Sequence, residues 1–196
     1  MDDFEVLWLV EADQIAQAAS VAARALLDDP DWVAISGDSE FRLTTLADML
    51  AGSLSVARVA GVQQGGMVRG VAAAVGPGEC VGALLPPGSR RLALPARDAS
   101  DADRLLYFRS VLAHHDTAEP HWHVGPVGVE RGVQSRGMGH AAMQLVCNEF
   151  DDHGRVGRLK TAKRENIRFC GGLGFEVVEE APMLDAHLWF MRREPR

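Results

Sequence analysis

The stretch VGVERGVQSRGMGHAAMQLVCNEF, residues 127–150, decides how this chain is read. A strand ends at Val129, a short polar loop follows, and a helix rich in Ala, Met and Leu begins at about Gly137. The core of the stretch is Gln134-x-x-Gly137-x-Gly139. Glycines at a helix start let the backbone come close to an anion, and the unpaired N–H groups and helix dipole there favour negative charge by ~0.3 to 2 kcal/mol. A pyrophosphate suits that position. The same glycines also permit a tight strand-to-helix turn with no ligand at all, so spacing alone leaves both readings open. Gly137-x-Gly139-x-x-Ala142 matches the dinucleotide fingerprint G-x-G-x-x-A as well, but its context does not. That fingerprint wants its turn directly after the strand and an acidic residue ~20 positions on. Here residues 130–136 intervene, the next strand ends in Lys160 and Thr161, and little chain remains for a doubly wound sheet.

Working outward, FEVLWLV reads as a first strand, and Asp13 with AQAASVAARALL as a helix closed by proline at Asp29-Pro30. From Phe41 to Val56, Leu43, Leu46, Met49, Leu50 and Leu54 fall at helical spacing. VARVAGV and MVRGVAAAV flank QQGG as a hairpin. Residues 76–98, with Pro77, Pro86, Pro87 and Pro95, read as a surface loop. A helix is expected from Asp101 to about His114, and HWHVGPVGV as a strand ending near Val129. Beyond the opening stretch come a helix from about Gly137 to His153, a strand around Arg158 to Thr161, a helix near Glu165 to Gly171 and two closing strands.

The whole chain of 196 residues, 47% hydrophobic and with a formal charge of −7, has the size and composition of a single domain, 1–196. A net-acidic chain with no Lys/Arg tract lacks the footprint of a nucleic-acid binder. Cys80, Cys147 and Cys170 are odd in number and widely spaced, which suggests neither a disulfide framework nor a thiolate zinc site and fits a reducing cytoplasm. No apolar run approaches the ~20 residues of a membrane span, and the acidic start MDDFEVLWLV is unlike a secretory signal.

Spacing and flanks together make residues 127–150 resemble motif A of the GNAT N-acyltransferase superfamily: a strand, then Q/R-x-x-G-x-G/A, then a helix. The similarity continues through KRENIRFCGGLGFEVVEE, with Asn166, Gly174 and Phe175 at matching places, and covers about residues 119–193. ALLDDP and LLPPG resemble stretches of some members. The resemblance implies an α/β fold with a mixed, mostly antiparallel central sheet flanked by helices. That sheet opens for pantetheine where the strand 121–129 diverges from the strand near 158–161. It implies an acetyl-CoA-dependent N-acetyltransferase moving acetyl directly to a primary amine on a small molecule or peptide. Carried over residue by residue, the resemblance implies that acetyl-CoA would be held by main chain of Val127, Gly128 and Val129, by Gln134, Ser135, Arg136, Gly137, Met138, Gly139 and His140, and by Asn166. A homodimer through the closing strands is common in the family.

Members with a base on this strand often carry Glu where this chain has His123. An imidazole titrating near 6.5 can take the proton of an ammonium. A period of two puts His121 and His123 on one face with Gly125 and Val127, and Glu119 is the reserve base. His114, His115, His121 and His123 suggest a metal only weakly, since spacing places no acidic or Cys ligand with them; none is expected. Many members have Tyr as general acid where this chain has Cys170, whose thiol is either a substitute acid or a packed core residue. Asp28, Asp29 and Trp32 lie where acceptor-side elements begin. The missing tyrosine keeps open a second reading, a noncatalytic acyl-CoA-binding or regulatory module.

Overall fold

A computed structural model describes residues 4–79 and 86–196; Cys80 and the Leu84-Leu85 start of LLPPG lie outside them. The chain runs β1 (Glu5–Trp8), α1 (Ala12–Leu26), α2 (Pro30–Ile35), α3 (Ser39–Leu54), β2 (Arg58–Gln64), β3 (Met67–Val75), α4 (Asp101–His114) and β4 (His121–Val129). A 3-10 turn at Arg131–Val133 then leads to α5 (Met138–Asp152), β5 (Val156–Thr161), α6 (Arg164–Gly172), β6 (Glu176–Met183) and β7 (Ala186–Arg193). The element expected to end at Pro30 does end before it, but Pro30 opens α2 at its first turn, where a missing N–H costs nothing.

Among the described residues seven strands form one sheet in the order β1-β2-β3-β4-β5-β7-β6, and every neighbouring pair is antiparallel except β4 with β5. One face carries α1 to α4. Its core includes Ala18, Ala22, Trp32, Leu46, Phe108 and Val111. The other carries α5 and α6, with Met138, Met143, Val146, Phe150, Cys170 and Phe175 inside. Small residues bring α1 down onto β4: a Cβ at Gly128 would stand 2.8 Å from Ala25 Cβ and 3.3 Å from Ala22 Cα. Among the described residues no helix is long and apolar enough to cross a membrane.

α5 seats just as tightly on β5. A Cβ at Gly157 would meet the fully buried Phe150 ring at 2.8 Å. Gly157→Ala is therefore expected to destabilise the domain by about 1–3 kcal/mol, the usual cost of overpacking a filled core. A shifted urea midpoint at constant slope checks it, and an unchanged midpoint would mean that the ring yields freely.

β4 is not a regular strand. Ala72 pairs with Val127 and Ala74 with Val124, so β4 spends one extra residue at Gly125-Pro126. The bulge changes side-chain parity. Trp122 and Val124 pack on the α5 core, and so do Val127 and Val129 beyond it, while Gly128 faces α1. The single face expected for His121, His123, Gly125 and Val127 is thus corrected: Val127 lies on the opposite side from His123.

Candidate active site

β4 and β5 pair only through His121, Trp122 and His123 against Val156, Gly157 and Arg158. Beyond that point β4 runs on to Val129 and β5 to Thr161 without a ladder between them. The splay opens a cavity of about 270 Å³. Val127, Asn166, Phe169 and Cys170 line it toward α5 and α6; His123, Leu159, Lys160 and Thr161 stand at the splay; Asp29, Trp32, Met49 and Phe108 line it toward α1 to α4. The cavity thus joins the two faces of the sheet.

The loop from β4 to α5 is exposed at Gln134, Ser135, Arg136 and Gly137. Ser135 (φ 62°) and Gly137 (φ 83°) both take the left-handed conformation, and Gly137 is the N-cap of α5. Among the described residues no side chain caps this helix, and no acidic residue occupies its first turn. The first backbone bond into α5 is from Ala141 N to the Gly137 carbonyl, 3.0 Å, which leaves the amides of Met138, Gly139 and His140 at the open end without helical acceptors. This is the local chemistry an anion requires. Gln134 Nε2 donates to the Val129 carbonyl at 3.0 Å and ties the loop to the strand end. The Met138 side chain is buried in the core while His140 is exposed beside Phe169. A Cβ at Gly139 would lie 3.4 Å from Val129 Cγ2, so α5 starts close against β4. Asn166 Nδ2 donates to Thr161 Oγ1 at 3.0 Å, holding α6 to the end of β5.

His123 reaches the cavity at the point of divergence. Burial pushes its imidazole below the ordinary 6.5, Lys160 and Arg158 push the same way, and the Asp116 carboxylate only partly opposes them. The ring is therefore a free base at neutral pH. Its neighbour His121, ring centroids 6.4 Å apart, is buried, with Nε2 3.3 Å from Asp116 Oδ1 and Nδ1 2.8 Å from the Glu119 carbonyl. Burial works to raise Asp116, but the His121 hydrogen bond and the Thr117 amide hold its carboxyl below the usual range. Glu119 pairs with Arg192 at 3.0 Å and does not line the cavity. The histidines divide among different partners: His114 meets the Ser89 carbonyl, and His115 meets Glu179 and stacks on Phe190.

Cys170 sits in the cavity wall, and burial pushes its thiol up to about 12, with nearby Cys147 adding to the effect. Asp28 is exposed and pairs with Arg131 at 2.6 Å, outside the cavity. Asp29 and Trp32 do line it. Asp29 makes no capping bond; it is buried against Lys163, and desolvation raises its carboxyl. Sequence reasoning missed Asp31, fully buried and paired with Lys160, and the apolar wall contributed by α3 and α4. Position at the carboxyl end of a parallel strand was the available signal for Lys160.

No protein-family model matches the chain. Its structure superposes on a Corynebacterium glutamicum protein described as histone acetyltransferase HPA2 and related acetyltransferase, with TM-score 0.65 and 15% identity over 98% of this chain and 97% of that one. The Drosophila melanogaster polyamine N-acetyltransferase, which forms N-acetylagmatine, gives 0.65 and 14% over 98% and 100%. The chain has the GNAT fold. A Salmonella typhimurium protein solved with its cofactor acetyl-CoA shares that fold at TM-score 0.59 and 16% identity, over 98% of this chain and 94% of the other. The GNAT architecture expected from residues 127–150 is thus the architecture present, including the divergence of β4 and β5.

Proposed function

We propose that the protein is an acetyl-CoA-dependent N-acetyltransferase that moves acetyl directly to a primary amine of a small molecule or peptide. One observation carries the reading: a single cavity runs from Asn166 and Phe169, whose ring lies beside Gly139 and His140 at the uncapped helix start, past a neutral imidazole to the opposite face of the sheet.

The residues present suit the cosubstrate. The amides from Gln134 to His140, with Arg136, would take the pyrophosphate. Main chain of Val127, Gly128 and Val129, no longer paired with β5, would hold pantetheine, and Asn166 would flank it. Bound acetyl-CoA supplies an acyl group activated as a thioester. His123 accepts the proton of the attacking amine at a ring nitrogen, directly or through water.

Cys170 is poorly matched to the acid role. A thiol near 12 donating to a thiolate whose own acid has a pKa of ~8.5 runs uphill by ~3.5 pKa units, or ~5 kcal/mol. Solvent then protonates the leaving thiolate, and Cys170 shapes the cavity wall. Cys170→Ala is expected to change turnover by less than about tenfold, since a true general acid contributes ~10²- to 10⁴-fold. A larger loss with KM unchanged would restore the thiol as the acid.

Acetyl-CoA turnover across a broad amine panel tests the proposal. Tight acetyl-CoA binding with no turnover of any amine would instead favour a noncatalytic acyl-CoA-binding or regulatory module.

A further inference from the structure

We infer that the acceptor is a primary monoamine on an apolar alkyl or aryl body, and that the protein discriminates against polycationic amines. The inference rests on the acetyltransferase reading and names the substrate class of that site.

Beyond His123, the cavity wall is built from Leu46, Met49 and Leu50 of α3, Phe108 and Leu112 of α4, and Trp32 of α2. On α3, Leu46, Met49, Leu50 and Ser53 stand at i, i+3, i+4 and i+7, one helical stripe turned to the cavity. Asp29, the carboxylate in the described cavity lining, is paired with Lys163, and Asp31, fully buried outside the lining, is paired with the lining residue Lys160. The local charges therefore cancel in pairs. A polyamine would bring a second ammonium against Leu, Met and Phe, losing its water with no unpaired carboxylate among the described lining residues, unless it displaced one of the lysines. An apolar body loses only unfavourable hydration against the same wall and presents its single amino group toward His123.

The test is a homologous series of linear monoamines, propylamine to heptylamine, compared with phenethylamine, agmatine and spermidine, after acetyl-CoA binding has been measured by calorimetry. kcat/KM is expected to climb about fourfold per methylene, equivalent to about 0.8 kcal/mol, until the cavity is filled. Agmatine and spermidine are expected to fall at least about 100-fold below heptylamine. Met49 is half-buried, so Met49→Asp should fold; it should depress heptylamine and favour 1,7-diaminoheptane, with acetyl-CoA affinity unchanged. A flat series, or preference for spermidine in the wild type, would overturn the inference while leaving the acetyltransferase reading intact. So would faster turnover of octanoyl-CoA than acetyl-CoA with no dependence on amine length, because the wall would then belong to the acyl chain. If acetyl-CoA binds but no amine reacts, heptanol binding by calorimetry decides the pocket's preference, and its absence overturns the inference. Failure to bind acetyl-CoA would overturn the functional reading itself and the inference with it.

Discussion

Gly139→Glu is expected to weaken acetyl-CoA binding by at least about 100-fold, because it places a carboxylate where the phosphates would sit. Two charge-assisted bonds from loop amides are worth ~3 kcal/mol or more together, which already amounts to that factor. The added charge then repels the anion. The fold should survive, since an acidic side chain in the first turn of α5 complements the helix dipole and this helix has no acidic residue there. The nearest atom to a new Cβ would be Val129 Cγ2 at 3.4 Å, tight but tolerable. Gly137→Glu should abolish binding too, although its left-handed backbone (φ 83°) adds strain of ~1–2 kcal/mol. Gly137→Ala separates the two effects, since it carries the strain without the charge and should keep most of the affinity. Calorimetry on variants with native circular dichroism reads the outcome. Unchanged affinity in Gly139→Glu would mean that the loop is not the phosphate site.

The loop could be read from the sequence because its chemistry is contiguous. Strand end, glycines and helix start lie within residues 127–150, and each acts through local backbone properties. The hairpin from β2 to β3 and the limits of α4 were legible for the same reason. Period-two reasoning failed on β4 because it assumes an unbroken ladder. The dipeptide Gly125-Pro126 was the warning, since a proline inside a strand marks an edge or a bulge. α2 escaped because Pro30 was read only as a terminator, while the same residue fits a first helical turn. The ion pair of Asp31 with Lys160 joins residues 129 positions apart. No local pattern encodes such a contact. The apolar wall from Leu46, Met49 and Leu50 was visible as a helical stripe but reads as ordinary core until the splay of β4 from β5 shows that it borders a cavity.

His123→Ala is expected to lower turnover by ~10²- to 10⁴-fold with little change in acetyl-CoA affinity, as loss of a general base should. The deficit should shrink at high pH, where the amine arrives neutral and needs no acceptor for its proton. Burial holds the imidazole below 6.5. The wild-type rate should therefore persist at neutral pH and fall on acidification below that value, as the ring takes up a proton and ceases to be a base. The same depression has a consequence for stability. Between the folded and unfolded values the unfolded chain binds more protons, so the wild type should lose stability as pH falls below about 6.5. His123→Ala should lack that component. Rates across pH 6–10, with urea midpoints across pH 5–8, distinguish a base from a packed residue. A residue that only packs would change the midpoints and leave the shape of the rate profile alone. Wild-type rates in the variant would move the proton acceptor to His121, the nearest ring, or to solvent. Glu119 is a weak substitute, because it is held by Arg192 and stands off the cavity.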